Sequence, residues 1–274
     1  DRWFLESYLH KDGEVMAVVY YLRDRGLTYE KDGAVWYKAT EFGGEKDEVL
    51  VRANGNPTYF TADIAYHKNK FDRGFDLLID IWGSDHHGHV ARMKGAMDAI
   101  GEDSDKLQII LMQFVRLMRD GEIVRMSKRT GKAIQLGDLL DEVPVDSARF
   151  LFNMREANSL LDFDLDLAVK QDAQNPVYYV QYAHARICSI LRALEADGIT
   201  PRDCTAEELA QLTAPEEVDL IRHIAEYTDE IVAAAKDYDP VRITRYVIEL
   251  ATKFHKFYNA CRVKGEAEGL MQAR

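Results

Sequence analysis

The chain has 274 residues, of which 47% are hydrophobic, and its 35 Lys and Arg against 47 Asp and Glu give a formal net charge of -12. This length supports two domains with separate cores, and the acidic balance argues against nucleic-acid binding over the whole surface, although positive charge can be concentrated locally. No apolar run approaches the length of a membrane span, no signal peptide is recognised, and the three cysteines (Cys188, Cys204 and Cys261) are odd in number and widely spaced. These features predict a reduced, cytoplasmic protein with no membrane segment, no disulfide framework and no zinc site.

The first half of the chain alternates helical with strand-like patterns, which is typical of an α/β fold. The sequence predicts a helix at residues 13–25 and a hairpin with strands at 27–30 and 34–38. It then predicts a strand at 49–52, a helix at 61–72 and a strand at 77–82. Asp32-Gly33 is a typical turn for the hairpin, and Thr61 is the predicted cap of the second helix. The apolar run at residues 76–82 predicts a buried strand of a parallel sheet.

A helix, a strand and a second hairpin are predicted next. The helix has one apolar stripe and ends at Gly101. The members of the stripe are Val90, Met93, Ala96, Met97 and Ile100. Residues 107–114 predict a strand, and residues 114–119 and 122–124 predict a hairpin that turns at Asp120-Gly121.

The second half is predicted to be a helical bundle, and the change of character falls near residues 141–170. After Pro176 the sequence has no strand pattern. Amphipathic helical segments are predicted at residues 174–196, 205–212, 215–237 and 240–264. Pro201, Pro215 and Pro240 separate these segments, because proline cannot continue a helix from its interior.

Glycine, acid and histidine residues are concentrated at Gly83-Ser-Asp-His-His-Gly-His89, directly after a predicted strand. Ligands of open α/β sheets bind at the carboxyl ends of strands, which is where this turn lies. Gly83 allows close approach of a ligand, Asp85 can accept hydrogen bonds from ribose hydroxyls, and the histidines can reach phosphate or carboxylate. Two alternatives stay open. Asp85, His86 and His89 are a possible transition-metal set, although no cysteine or fourth ligand stands nearby, and Asp85 is also a suitable helix cap.

Four cations, two hydroxyls and a glycine occupy the segment Arg125-Met-Ser-Lys-Arg-Thr-Gly-Lys132. The segment follows the second hairpin, and a cationic loop anchored to a strand suits chemistry in which charge builds on phosphate oxygens. Lys128 and Arg129 can neutralise a pyrophosphate leaving group, and the Ser127 hydroxyl can donate to a phosphate oxygen. Composition alone favours the alternative of a solvated basic loop.

Together these two segments resemble the active site of a class I aminoacyl-tRNA synthetase. Arg125-Met-Ser-Lys128 is similar to the family's second signature, KMSK, with arginine in place of the first lysine. Four longer stretches, in the order found here, narrow the resemblance to the bacterial-type arginyl-tRNA synthetases. They are Tyr59-Phe-Thr-Ala-Asp-Ile-Ala-Tyr-His67, Gly83-Ser-Asp-His-His87, Met126-Ser-Lys-Arg-Thr-Gly131 and Asn175-Pro-Val-Tyr-Tyr-Val-Gln-Tyr-Ala-His-Ala-Arg186. The resemblance extends from residue 1 to about residue 264.

The resemblance implies a site for arginine and a site for ATP. Tyr59 and Asp63 correspond to family residues that contact the substrate guanidinium, and His86 corresponds to a substrate-contacting glutamine or histidine. The residues implied for ATP are Gly83, Asp85, His89, Met126, Ser127 and Lys128, with Ser127 and Lys128 as the catalytic residues. A guanidinium is planar and always charged, so its pocket needs a carboxylate and a flat partner. Without the resemblance, Tyr59 is predicted to be a core aromatic, and Asp63 suits the start of a helix.

The helical half resembles the anticodon-binding domain of the same family. The residues implied for tRNA are Tyr179, Tyr182, Arg186, Phe254 and Tyr258. Unstacked loop bases commonly stack on aromatic rings and on arginine planes. Aromatic residues at helical spacing more often belong to a core, and Arg186 can also pair with an acid on the helix surface, so these alternatives stay open.

Relative to the family, the sequence is expected to be a carboxyl-terminal piece. It does not contain the family's first signature, HIGH, and the histidines at positions 86, 87 and 89 are a different element. The amino-terminal domain and the first half of the nucleotide-binding fold are expected to be missing, and one further helix is expected after Arg274. The predicted division is a partial Rossmann-type catalytic domain at residues 1–145, a connecting helical segment at 146–170 and a helical anticodon-binding domain at 171–274.

The resemblance implies the activity of an arginyl-tRNA synthetase. Such an enzyme activates L-arginine with ATP and Mg²⁺, releases pyrophosphate and charges tRNA(Arg), and the whole protein is expected to be a monomer. The chain alone is expected to fold without being active, and no residue is predicted to bind a metal directly. One alternative is a non-catalytic tRNA-binding or scaffold paralogue, and the intact Tyr59, Asp63 and Met126-Ser-Lys128 argue against it. The other is a different nucleotidyl-transferring enzyme of the same fold, which would not need the helical half.

Overall fold

A computed structural model describes residues 2–124 and 135–274 of the chain. The chain forms two compact units, Asp1–Gln113 and Phe114–Arg274. The first unit combines helices with two small sheets, and the second combines one small sheet with helices. Over the described ranges, no helix is both long enough and apolar enough to cross a lipid bilayer.

The first unit begins with two helices and an antiparallel three-stranded sheet. These elements are α1 (Glu6–Lys11), α2 (Glu14–Asp24), β1 (Thr28–Lys31), β2 (Ala34–Tyr37) and β3 (Glu48–Val51), with a 3-10 turn at Ala39–Phe42. The strand order is β1-β2-β3. Asp32 and Gly33 have φ values of 53° and 73°, the left-handed pair that a two-residue hairpin turn requires. The predicted first helix and first hairpin are confirmed.

The rest of the first unit contains a parallel pair of strands flanked by helices. These elements are α3 (Tyr59–Asp72), β4 (Leu78–Gly83), α4 (His87–Ile100) and β5 (Leu107–Met112), with 3-10 turns at Ser84–His86 and Ser104–Lys106. β4 and β5 pair in parallel, from Leu78 opposite Leu107 to Gly83 opposite Met112. Gly101, at a φ of 88°, ends α4 as predicted.

The prediction that the strand at residues 76–82 is buried is wrong, although the strand is parallel as predicted. Leu78 is buried and Trp82 packs against the core, whereas Ile79 and Ile81 are 46% and 63% exposed. Successive side chains of a strand point to opposite faces, so the two isoleucines share the face that looks away from the core. An apolar run in a sequence does not reveal whether both faces of its strand are covered.

Helix α4 packs closely on the turn that follows β2. The fully buried Tyr37 donates its hydroxyl to the main-chain oxygen of Gly95 at 3.1 Å, and burial raises the pKa of this tyrosine. A Cβ atom at position 95 would lie 2.5 Å from the main-chain oxygen of Phe42. Glycine at position 95 therefore permits the contact that fixes α4, which carries His89.

The second unit opens with the second predicted hairpin, which is confirmed. β6 (Val115–Arg119) pairs antiparallel with β7 (Glu122–Ile123) and parallel with β8 (Leu161–Asp164). Asp120 and Gly121 have φ values of 52° and 76° at the turn. The same part of the chain contains three helices, α5 (Leu136–Glu142), α6 (Val145–Phe152) and α7 (Leu165–Val169). The connection predicted to be helical at residues 146–170 therefore contains a strand as well, in which buried Phe163 alternates with exposed aspartates.

The remainder of the second unit is helical, as predicted. Its helices are α8 (Pro176–Ala196), α9 (Ala206–Leu209), α10 (Pro215–Ala225), α11 (Tyr227–Asp237), α12 (Val241–Ala260) and α13 (Glu268–Ala273). The single helix predicted at residues 215–237 is wrong, because α10 and α11 are separate. The His223 ring near the end of α10 stacks on Tyr246 of α12 at 4.3 Å, which anchors α10 before the chain turns at Glu226. Cys188, Cys204 and Cys261 are free thiols.

Candidate functional site

The first two turns of α3 carry two of the predicted ligand-binding residues. Tyr59 is the first residue of the helix and is 78% exposed, which excludes its interpretation as a core aromatic, and Asp63 follows one turn later. Thr58 holds the cap position, so the prediction that Thr61 caps this helix is wrong. The Thr61 hydroxyl lies one turn too late to cap, and it donates instead to the main-chain oxygen of Leu50 in β3 at 2.7 Å. This bond ties the start of α3 to the sheet.

Asp63 faces a histidine from α4. Nε2 of His89 lies 3.3 Å from Oδ2 of Asp63, and the aspartate side chain remains 48% exposed. The His89 ring is fixed from two sides by Phe60 and Trp82, at centroid distances of 5.6 and 5.2 Å. The histidine therefore orients the carboxylate and leaves much of it open to a ligand.

A cavity of about 530 Å³ brings together the three residues assigned to arginine by resemblance. Tyr59, Asp63 and His86 all line it, with His89. A neighbouring cavity of about 640 Å³ shares Asp63, His86 and His89 and reaches Gly83. The residues predicted for arginine and two of those predicted for ATP thus border the same region of the first unit.

The end of β4 places Gly83 under the carboxylate of Asp85. A Cβ atom at position 83 would lie 2.5 Å from Oδ1 of Asp85, so a larger residue there would displace this side chain. Asp85 and His86 are both exposed, and Asp85 Oδ2 lies 3.8 Å from His86 Nε2. The cap position of α4 belongs to His86 rather than Asp85. Within residues 2–124 and 135–274, no group of three or more His, Cys, Asp or Glu side chains is arranged to hold a metal ion.

Two residues without a predicted role, Glu48 and Arg92, line the same cavity as Tyr59 and Asp63. Nη1 of Arg92 donates to Oε1 of Glu48 at 2.9 Å, and the Glu48 side chain is 15% exposed. Nε of Arg92 and Nδ1 of His89 are buried, and neither has a hydrogen-bond partner among the described residues. Arg92 lies three residues after His89 on the same face of α4, and this spacing is the sequence signal that could have identified it.

A buried charged network between α3 and β4 is also absent from the sequence predictions. His67 contacts the main-chain oxygen of Asp63 through Nδ1 at 2.7 Å and Oδ2 of Asp80 through Nε2 at 2.5 Å. Nζ of Lys70 donates to Oδ1 of Asp80 at 2.9 Å. Burial raises the pKa of Asp80, but the hydrogen bonds and charges of His67 and Lys70 outweigh this effect and lower the pKa to about 2. His67 and Lys70 follow Asp63 at helical spacing, which was the available signal.

The cationic segment lies outside the described residues. It contains Met126, Ser127 and Lys128, whose positions relative to the cavity therefore stay predictions.

In the second unit, the guanidinium of Arg186 lies between two tyrosine rings. Its central carbon is 4.5 Å from the ring centroid of Tyr182 and 4.5 Å from that of Tyr258. Nη1 lies 3.1 Å from Nδ1 of His255, which must accept because a guanidinium only donates. Burial lowers the pKa of His255, and the charge of Arg186 acts in the same direction, against a hydrogen bond involving the Tyr179 backbone. Both tyrosines are partly exposed, so the group presents flat surfaces and a cation to solvent.

Tyr179 and Phe254 lie deeper in the second unit than the other residues assigned to tRNA. The Tyr179 hydroxyl bonds to Oγ1 of Thr252 at 3.2 Å, and the ring packs against the helical core. Phe254 is buried in that core and contacts Tyr258 at a centroid distance of 6.0 Å. His255, which joins Arg186 to these rings, has no role predicted from the sequence.

Two family models match the chain. The family model described as "tRNA synthetases class I (R), catalytic domain" matches residues 5–189, more than half of the chain. The chain belongs to this family. The model described as "DALR anticodon binding domain" matches residues 180–274. The resemblance drawn from the sequence motifs is confirmed, as is the predicted fold of a class I catalytic domain followed by a helical anticodon-binding domain.

Individual relatives match this chain over its whole length. Proteins named Arginine--tRNA ligase from Ruminiclostridium cellulolyticum and Acetivibrio thermocellus are 59% and 58% identical to it, over 100% of this chain and 49% of each relative. The chain thus spans about half the length of the curated relatives that it matches. A solved structure of a protein assigned as an arginyl-tRNA synthetase from Campylobacter jejuni is 34% identical, with a TM-score of 0.87 over 100% of this chain and 59% of the other. The Thermus thermophilus arginyl-tRNA synthetase, 21% identical, shares the fold with a TM-score of 0.80, over 96% of this chain and 54% of the other.

Proposed function

We propose that the natural-length protein, meaning the full product of the gene that encodes this chain, is an arginine–tRNA ligase. It activates L-arginine with ATP, releases pyrophosphate and transfers the arginyl group to the terminal ribose of tRNA(Arg). The observation that carries this proposal is the cavity bordered by Tyr59, Asp63 and His86. The names of the curated relatives, which match the chain over its whole length, support it.

The cavity has the chemistry that a guanidinium requires. The half-exposed carboxylate of Asp63 supplies the charge partner, and His89 fixes it from the protein side. Tyr59 supplies an exposed flat ring one turn away. His86 lies at the rim, where it contacts the rest of the amino acid. A planar, permanently charged group gains from both partners, whereas a neutral side chain of similar shape gains little from the carboxylate.

ATP binds next to this cavity in our proposal, accompanied by Mg²⁺ as in class I synthetases generally. Gly83, Asp85 and His89 contact the adenosine side, and Met126, Ser127 and Lys128 contact the phosphates. The arginine carboxylate attacks the α-phosphorus in line, and the bond to the pyrophosphate oxygen breaks. Ser127 and Lys128 offset the charge that develops on the leaving oxygens, while the cavity holds the attacking group in place.

The helical domain binds the anticodon region of tRNA(Arg) in this proposal. Tyr182 and Tyr258 offer stacking surfaces, and Arg186 between them offers positive charge. Tyr179 and Phe254 support these rings from beneath. The division into a catalytic part at residues 1–145, a connection at 146–170 and an anticodon-binding part at 171–274 belongs to the same proposal, as do a monomeric state and a cytoplasmic location.

Charging of tRNA by the natural-length protein tests the proposal directly. Incubation with ATP, Mg²⁺, bulk bacterial tRNA and each amino acid in turn should give charging with arginine alone. A protein that binds tRNA but charges it with no amino acid would be the non-catalytic paralogue, and the proposal would be wrong. Charging with a different amino acid would equally contradict it.

A further inference from the structure

His67 is the most deeply buried histidine of the first unit, at 3% exposed, and the proposed reaction does not use it. Its two ring nitrogens face the main-chain oxygen of Asp63 and the carboxylate of Asp80. A carbonyl and a carboxylate can only accept hydrogen bonds. Each of these contacts is a hydrogen bond only when its ring nitrogen carries a hydrogen, and a ring with both hydrogens is an imidazolium.

The network contains what it needs to hold that charge. Lys70 occupies the second oxygen of Asp80, so each carboxylate oxygen accepts a bond from a cationic partner. The side chains of Asp80 and Lys70 are 10% and 17% exposed, so bulk water competes weakly for these bonds. A buried charge that loses its partner is costly, which keeps the three groups together.

The network also spans the two elements that carry the proposed ligand sites. Asp63 and His67 lie one turn apart on α3, while Asp80 lies on β4 three residues before Gly83. His67 touches Asp63 from the main-chain side, and His89 touches its carboxylate from the other. The cavity of about 640 Å³ is lined by all four of these residues, Asp63, His67, Asp80 and Gly83.

We propose that His67, held as a cation by Asp80 and supported by Lys70, is the positioning residue of the guanidinium site. It fixes the main chain of Asp63 relative to β4, so that the carboxylate faces arginine while the end of β4 holds ATP. His67 acts through Asp63 and does not touch substrate. This inference rests on the proposed arginine pocket and adds to it the element that aligns the two ligands.

Steady-state pyrophosphate exchange with the natural-length protein separates positioning from a purely structural role. His67→Gln and Asp80→Asn should each raise the KM for arginine by about 10–100-fold, because small displacements of a positioned group cost that much. The KM for ATP should stay within about threefold of the wild-type value. His223→Gln is the matched control, since His223 is also buried and contacts a carboxylate, Glu226, and a main-chain oxygen, that of Tyr246. It should lower stability without changing the KM for arginine.

Nitrogen-15 NMR of the wild-type protein at pH 7 provides a test that needs no variant to fold. Both ring nitrogens of His67 should show bound protons, and a ring with one bare nitrogen would overturn the inference. Unchanged arginine KM values in both variants, or equal increases for arginine and ATP, would overturn it while leaving the arginine pocket intact. A wild-type protein that does not use arginine would overturn the proposed function and this inference together.

Discussion

The cavity of the first unit, where we propose that arginine binds, and the tyrosine–arginine stack of the second unit surround a guanidinium in opposite ways. In the cavity, an oriented carboxylate, Asp63, stays half exposed, and among residues 2–124 and 135–274 its ion-pair partner is His89. In the stack, the protein supplies the guanidinium itself, and Arg186 is held by two rings and a neutral histidine. A carboxylate in this setting selects a cation, whereas a cation held by uncharged groups keeps its charge available for phosphate.

Among the changes that test this comparison, removing the charge of Asp63 should have the largest effect, and the effect should fall on arginine binding. Asp63→Asn leaves the bound guanidinium without its charge partner, so we expect arginine binding to weaken by roughly 3–5 kcal/mol. ATP binding, measured separately by calorimetry, should hardly change. Asp72→Asn is the matched control, because Asp72 lies on the same helix and pairs with Lys68 at the surface. Equal losses for arginine and ATP in Asp63→Asn would show that Asp63 supports the fold instead.

The second prediction concerns the cationic segment. Lys128→Ala should lower the rate of arginine activation by about 100–1000-fold and leave arginine affinity nearly unchanged, because the lysine is proposed to act on charge that develops in the transition state. Lys132→Ala removes the same charge from the same segment and should have a much smaller effect. An activation rate for Lys128→Ala within about threefold of wild type would remove Lys128 from the mechanism.

The buried aspartate of the first unit should make that unit sensitive to acid. The pKa of Asp80 is lowered to about 2, so its contribution is present above the unfolded pKa near 4 and is lost as the pH falls toward 2. Linkage gives a contribution of about 2–3 kcal/mol at pH 7. Urea unfolding of the 274-residue chain, followed by tryptophan fluorescence, reports this unit alone, since Trp3, Trp36 and Trp82 all lie in it. The difference between wild type and Asp80→Asn should shrink between pH 4 and 2, and a difference that is constant with pH would contradict the assignment.

The smallest expected effect is on tRNA binding by the stack. Arg186→Ala should weaken tRNA binding by about 1–2 kcal/mol and reduce its salt dependence by about one ion, because it removes both a phosphate partner and the spacer between two rings. Arg192→Ala, on the same helix, removes the same charge without touching the rings. Equal affinity losses for the two variants, measured by filter binding at several salt concentrations, would mean that charge alone matters at this face.

The sequence predicted the elements with local signals and failed where distant contacts decide. Both hairpins carried an Asp-Gly turn, and α4 had its stripe and its terminal glycine, so these elements were predictable. The exposure of Ile79 and Ile81 depends on what covers β4, and the break between α10 and α11 depends on the contact of His223 with Tyr246. Neither feature can be predicted from the spacing of residues along the chain.

For the candidate site, the sequence motifs named three residues that line one cavity, Tyr59, Asp63 and His86. Their assignment to arginine stays a prediction. The pair Glu48–Arg92 joins residues 44 positions apart, and the pair His67–Asp80 joins a helix to the strand that follows it. Neither pair has a fixed sequence spacing, so their roles appear only when the fold brings the partners together. Phe254 is the opposite case. Its position in the sequence resembles that of a tRNA-recognition residue, but its side chain is buried in the helical core.

The central claim is that the cavity around Asp63 selects a guanidinium by its charge. Competitive binding of arginine and citrulline to the natural-length protein tests it most directly, since citrulline has nearly the same shape without the charge. The account predicts that arginine binds at least about 100-fold more tightly and that Asp63→Asn removes most of this preference. Equal affinities in the wild-type protein, or a preference that survives in Asp63→Asn, would contradict it.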